Sequence, residues 1–345
     1  MKKILYIATT ADNRNRLDGE TVKCRLLREY LNEIDKIEVI SIDTDNWRKH
    51  IIKLIILILF YFIRCDEIVI SSADKGANIV LNFFRKINTN KKIYYFVIGG
   101  SLSKNIKEKN WNIETYTRIN HIYVEASNLK NDLKKLNINN VDVLNNFRKV
   151  EKFDNKYVEE SNFRFVYYGR VIKEKGVEEA IKLVKRLNLE GKKCNLSIYG
   201  QCADSYKKYI LSKFDNNIKY YGELVPNGKD EYEVLSKYDA FIFPTEYPGE
   251  CLPGALIDCY ISGLAVLASN WKYAKEYIED GKNGYIFEYK NYNDMYTKAL
   301  ELIDNHVQLQ RFKKKSKQLS KKYLMENTLN KVKQELLGEI DNEEV

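Results

Sequence analysis

The chain is short of the residues that staple small folds together. Its six cysteines, Cys24, Cys65, Cys194, Cys202, Cys251 and Cys259, form no CxxC pair, which argues against a disulfide framework or a structural zinc site. With no signal-peptide pattern at Met1-Lys2-Lys3-Ile4 they read as reduced thiols, and the expected location is cytoplasmic. The longest apolar run, Leu54 to Ile63, has ten residues and is too short to span a bilayer. No GxxxxGK(S/T) loop and no serial-glycine dinucleotide fingerprint occurs, so neither a P-loop nucleotide hydrolase nor a typical dehydrogenase is supported.

What is present is a soluble composition of two-domain length, 345 residues with 44% apolar and 30% charged residues. The net charge of +9 lies wholly in the first half, where residues 1–150 hold 26 Lys/Arg against 17 Asp/Glu, while residues 151–345 hold 31 of each. A basic, solvated face accounts for this; so would attraction to anionic lipid or a phosphate-bearing substrate, at about 1 kcal/mol per cation near such a surface. Nucleic acid is the weakest reading, because no recognition motif accompanies the charge.

Short β-branched and aromatic runs alternate with helical segments, the pattern of βαβ units on a parallel sheet. In the first half strands are expected at Ile4 to Ala8, Ile37 to Ile42, Glu67 to Ser71, Lys92 to Ile98, His121 to Val124 and Asp142 to Leu144. Helices are expected near Glu20 to Glu33, Trp47 to Ile63, Gly76 to Lys86, Leu102 to Arg118 and Asn128 to Leu136. The pattern turns polar at Asn145 to Ser161, the expected linker, and restarts at Phe163 to Tyr168. The expected division is an N-terminal domain over 1–155, a C-terminal domain over 156–320 and a helix in 321–345 packing back on the first domain. The natural ligand site of such a pair is the cleft between them.

One stretch, Pro244 to Asp258, concentrates chemistry. It follows the strand Ala240 to Phe243 and leads into a helix from Gly254, placing Glu250 and Asp258 where ligands bind in open α/β sheets, beside free helix N–H groups. Gly169-Arg170 ends the first strand of the second domain, and Lys175-Gly176 opens its helix; the pair of cations suits a diphosphate, although ordinary loop charges would look the same. Gly200 closes the next strand, where a turn alone would explain it.

The series Gly169-Arg170, Lys175-Gly176, Tyr199-Gly200, Pro244-Thr245, Glu250 to Asp258, Gly263 with Ala265 to Ser269, Glu276 and Asp280 to Gly284 resembles the group 1 glycosyltransferases, family 4, and within them the bacterial members that build capsular or other surface polysaccharides. The resemblance covers about residues 163–320; in the first half it rests on Gly19, Thr21 to Lys23 and Ile98-Gly99-Gly100. It implies a GT-B fold, two Rossmann-like doubly wound domains facing a central cleft. It also implies retaining transfer of a hexose-type sugar from a nucleotide-diphosphate sugar, with UDP the expected nucleotide, to a saccharide or lipid-linked acceptor. By the same resemblance Glu250 holds the sugar, Asp258 the ribose, and Arg170 and Lys175 the diphosphate, with Gly169, Gly200, Cys251, Leu252, Pro253 and Gly254 lining the donor site. The family's usual second acid is Glu, so Asp258 is one methylene short. Gly19, Thr21, Gly99 and Gly100 fall on the acceptor side.

The two fixed cations make a divalent metal or other cofactor unnecessary; Asp43-Thr44-Asp45 has the letters of a DxD motif but follows a first-half strand. The histidine that many relatives place at the cleft has no clear equivalent among His50, His121 and His306. The expected partners are a nucleotide-sugar donor, a lipid-linked or oligosaccharide acceptor and, at the inner face of the membrane, anionic lipid, with no nucleic acid. The segment His50 to Arg64 reads first as a core helix and second as a membrane-facing patch flanked by Lys49, Lys53 and Arg64. A catalytically silent homologue that stabilises an active transferase is the alternative, with an epimerase or a phosphorylase on the same fold behind it.

Overall fold

A computed structural model describes residues 1–14, 16–87 and 90–339. The chain divides into two compact units: Met1–Phe147 together with the last helix, Met325–Leu337, and Arg148–Leu324.

The first unit is built on β1 (Lys2–Ala8), β2 (Ile37–Asp43), β3 (Glu67–Ala73), β4 (Lys92–Ile98), β5 (His121–Val124) and β6 (Val141–Val143). All pair in parallel in the order β2-β1-β3-β4-β5-β6. A parallel sheet is covered on both faces, so its central strands carry unbroken apolar runs; Ile4 to Ala8 and Tyr94 to Val97 are all buried. The last helix packs Met325, Leu329, Val332 and Leu336 into this core beside Ile4, Tyr6, Leu27 and Phe147. Its polar side is tied down as well: Glu335 accepts from the Tyr123 hydroxyl and pairs with His121 at 3.2 Å, and Lys331 reaches Asp142 at 3.0 Å.

The second unit repeats the scheme with β7 (Phe163–Tyr168), β8 (Cys194–Tyr199), β9 (Ile218–Gly222), β10 (Ala240–Phe243), β11 (Ala265–Ser269) and β12 (Gly284–Phe287), ordered β12-β11-β10-β7-β8-β9 and parallel throughout. The chain runs outward from β7 to β9 and then returns to the other side of β7 with β10. The switch point therefore lies between the carboxyl ends of β7 and β10, where ligands bind in doubly wound sheets.

Several expectations are corrected. The units part at Phe147–Arg148 rather than at 155, because the polar stretch that follows is bonded along the second unit: Glu151 N–H donates to Gly228 O at 2.8 Å and Lys156 N–H to Ser236 Oγ at 2.9 Å. The helix expected over Leu102 to Arg118 is two, Leu102–Glu108 and Glu114–Thr117, broken where Asn110 turns to φ +49° and Trp111 N–H closes on Ile106 O. A short helix at Asp204–Leu211, with Ile210 its one fully buried residue, has too little apolar periodicity to be legible in the sequence. The presumed core helix is Ile51–Arg64, and only Ile58 in it is buried. Its all-round apolar pattern does not distinguish a core helix from a greasy surface one.

All six cysteines are free thiols; burial pushes Cys24 and Cys194 up to about 12, far from a reactive thiolate at neutral pH.

Candidate donor site

Glycines let the two loops at the switch point close on each other. Gly176, at φ +75°, lies so near Pro244 that an added Cβ would stand 2.0 Å from the Pro244 carbonyl oxygen. Any side chain there would force the β7 and β10 loops apart. Gly200, at φ +137°, would put a Cβ 1.8 Å from Gly169 O, so the ends of β7 and β8 present bare, closely apposed backbone.

This closure brings Lys175 to Glu250. Both side chains are buried, and Lys175 Nζ donates to Glu250 Oε2, which also accepts from Thr245 Oγ1 at 3.2 Å. Thr245 fixes the turn, taking the Tyr247 N–H at 3.1 Å, while Glu250 N–H donates to Tyr247 O at 3.0 Å. The Tyr247 ring stands 5.0 Å from Lys175 Nζ and 5.0 Å from the exposed Arg170 guanidinium. One aromatic ring thus contacts both cations. Lys175 and Glu250 balance each other and Arg170 adds a positive charge, at the mouth of the helix Gly254–Ile261, whose N-cap Pro253 supplies no side-chain acceptor. Such a group can hold hydroxyls on the carboxylate and an anion on the guanidinium and ammonium.

Asp258 is placed differently. It is 1% exposed and its hydrogen bonds go to Arg148, Nε to Oδ1 at 2.7 Å and Nη2 to Oδ2 at 3.2 Å, and to the Tyr232 hydroxyl at 3.5 Å. Burial raises the Asp258 carboxyl and the Arg148 charge opposes that rise. The Arg148 guanidinium lies against the helix start, where a Cβ on Gly254 would meet Nη2 at 1.7 Å. The residue expected to meet a ribose is hydrogen-bonded to an arginine, and its geometry positions that guanidinium. Arg148, Thr245 and Tyr247 are the residues sequence reasoning missed as site groups. Arg148 had no local signal, since its partner is 110 residues away. Thr245 and Tyr247 lay inside the stretch already singled out.

Cys251 and Leu252 are buried; Cys251 O accepts from Trp271 Nε1 at 3.2 Å, which anchors the loop.

In the first unit the presumed acceptor residues gather at the carboxyl edge of the sheet. Gly19 opens the helix Gly19–Asn32, Thr21 donates its hydroxyl to Arg16 O and Asp18 O, and Gly99 (φ +80°) and Gly100 follow β4. Beside them Lys23 is buried against Glu125 at 2.6 Å and Val97 O at 3.2 Å. Asp43 and Asp45 are engaged locally: Asp43 accepts from the N–H groups of Thr10, Ala11 and Asp45, and Asp45 pairs with Arg14 and Arg16. Among the described residues no group of three or more His, Cys, Asp or Glu could hold a metal ion. His121 is tied to Asp142 at 3.0 Å, and His306 lies on the surface near Glu159.

Residues 148–319 match the family model described as glycosyl transferases group 1. The poly(ribitol-phosphate) alpha-N-acetylglucosaminyltransferase of Staphylococcus aureus (strain COL) is 26% identical over 231 residues, 65% of this chain and 45% of the relative. The capsular polysaccharide biosynthesis glycosyltransferase CapM of S. aureus is 24% identical over 161 residues, 45% of this chain and 40% of the relative. The chain thus spans less than half the length of either. The structure of Anabaena HepE in complex with UDP and glucose superposes with a TM-score of 0.74 at 12% identity, covering 99% of this chain and 100% of that one; at that identity the likeness shows the fold. The two units are the two Rossmann-like domains of a GT-B fold, and residues 148–319 match the glycosyl transferases group 1 family.

Proposed function

We propose that this chain is a retaining glycosyltransferase that moves a hexose-type sugar from a UDP-sugar to a saccharide or lipid-linked acceptor in surface polysaccharide synthesis, at the cytoplasmic face of the membrane. The observation that carries the reading is the meeting of Arg170, Lys175 and Glu250 around Tyr247 at the switch point of the second sheet. Support for the donor comes from HepE, whose structure holds UDP and glucose, and for the acceptor class from relatives named for poly(ribitol-phosphate) and capsular polysaccharide.

Glu250 accepts the sugar hydroxyls, while Arg170 and Lys175 neutralise the diphosphate. Glu250 holds Lys175 in place; the donor divides the pair between sugar and phosphate. Gly169 and Gly200 allow close backbone approach, and the N–H group of Gly254 adds a donor. In the reaction the bond from the sugar's anomeric carbon to the phosphate oxygen breaks, and its electron pair leaves on the diphosphate. The acceptor oxygen bonds to the same face of that carbon, and its proton passes to the departing diphosphate oxygen. The cations stabilise charge developing on the leaving group, the work a divalent metal does in other sites, so we propose a metal-independent reaction.

Thermal unfolding of the full chain with UDP, GDP and ADP, and with their common sugars, tests the donor. A ligand that binds only the folded state stabilises by about 2.7 kcal/mol at 100 times its Kd. UDP and one UDP-sugar should raise the melting temperature; a shift confined to GDP or ADP compounds, or none, would refute the UDP assignment.

A further inference from the structure

We propose that the helix Ile51–Arg64 is a membrane-docking element that lies in the plane of an anionic bilayer surface and holds the first unit there. The inference stands on the surface of the first unit and does not rest on the donor site.

Seven large apolar side chains on this one helix face solvent: Ile51, Ile52, Ile55, Ile56, Leu59, Phe60 and Ile63, with Ile52 and Ile63 about three-quarters exposed at 73% and 76%. At about 100° per residue they fall within roughly 180° of arc, one continuous face. Beyond the arc, Ile58 is buried and Leu54, Leu57 and Tyr61 are half-buried, while Phe62, at the arc's edge beside Ile51, stacks on Phe84 at 5.5 Å. A surface helix normally turns a polar face to water; here the protein covers one side and apolar groups occupy the other. Contiguous exposed apolar faces of this kind mark interaction surfaces.

The rim identifies the partner. From Asn46 to Cys65 there is no acidic residue, while Arg48, Lys49, Lys53 and Arg64 are all exposed. Lys53 and Arg64 lie at one edge of the apolar arc, and the Arg64 guanidinium folds over the Phe60 ring at 3.5 Å. Trp47, half-buried with Arg48 5.5 Å from its ring, precedes the helix. Apolar groups bordered by cations and an interfacial Trp match the boundary between acyl chains and anionic headgroups. A second copy of the chain is the poorer partner, because a two-fold contact across this face would bring two cationic rims together. At 14 residues the helix is about 21 Å long, short of the ~30 Å hydrocarbon core, so it lies on the membrane rather than across it.

The test is flotation of the full chain with vesicles of phosphatidylcholine alone or mixed with phosphatidylglycerol, at low and high salt, beside size-exclusion chromatography with light scattering. Two variants accompany it: Ile52→Ser/Ile56→Ser/Ile63→Ser, and Lys49→Gln/Lys53→Gln. All five positions are exposed, so unchanged melting curves should confirm that both variants are folded. The wild-type chain should float with the anionic vesicles, less so at high salt. The serine variant should lose at least about tenfold in partition, and the glutamine variant should lose the preference for phosphatidylglycerol. No flotation at low salt, or equal flotation on phosphatidylcholine alone, would overturn the proposal. A wild-type dimer that the serine variant converts to monomer, with no lipid retention, would assign the face to a second copy instead.

Discussion

Glu250→Ala is expected to lower sugar transfer by at least about 10²–10³-fold, the loss that follows removal of one preorganised group from a reacting centre, with the fold retained. Glu250 belongs to a loop that its side chain does not build alone. The turn is held by backbone bonds from Glu250 N–H to Tyr247 O and by Thr245 Oγ1 on Tyr247 N–H, all of which survive the substitution. What disappears is the carboxylate that positions Lys175 and, in the proposed complex, the sugar. Glu250→Gln makes the comparison sharper, since the amide keeps the shape and a hydrogen bond to Thr245 but not the charge. It should fall between alanine and wild type, with the loss mainly in kcat if the contact strengthens as the sugar–phosphate bond breaks. Product formation measured by mass, beside a thermal melt of each variant, checks both statements. Full turnover by a folded Glu250→Ala chain would remove Glu250 from the site.

Arg148→Ala should destabilise the second unit by about 3–5 kcal/mol, the usual consequence of stranding one member of a buried ion pair. Arg148 is 5% exposed and Asp258 1%, and Tyr232 is the remaining contact of that carboxylate. The pH dependence has a definite sign. Without its counter-charge the Asp258 carboxyl is raised further by burial, so the folded state binds the proton more tightly than the unfolded one. Stability is then retained below the unfolded carboxyl's pKa and lost as pH rises through the folded value. The variant should therefore unfold at lower denaturant near neutral pH than in mild acid, relative to wild type. Replacing both partners, Arg148→Met with Asp258→Leu, should recover much of the loss, because neither charge is then stranded. Denaturant midpoints across pH for the three chains decide it. A loss in Arg148→Ala below about 1 kcal/mol, the scale of an exposed pair, would contradict the structural role assigned here.

Much of this architecture was legible because parallel sheets write themselves plainly. Ile4 to Ala8 and Ala265 to Ser269 are apolar without alternation, as strands buried on both faces must be. Lys175 and Glu250 were legible as a candidate site because each sits one loop beyond such a strand. Their direct pairing was not: it depends on β10 returning beside β7, a matter of sheet order that no local pattern records. Arg148 was hidden for a similar reason, as one more cation in a polar stretch whose partner is an acid on a distant helix. The helix Ile51–Arg64 failed in the opposite sense. Its composition was conspicuous, but periodicity cannot say whether an all-apolar helix is covered by its own chain or by something else.

The central claim is that Arg170 and Lys175 form a diphosphate cradle beside Glu250. Calorimetric titration of UDP into the full chain and into Arg170→Ala/Lys175→Ala tests it most directly, with UMP as the ligand lacking the second phosphate. The account predicts saturable binding of UDP to the wild-type chain, weakened at least about tenfold in the double variant, and little effect of the substitutions on the already weaker UMP. Unchanged UDP affinity in a double variant that melts like the wild type would contradict it.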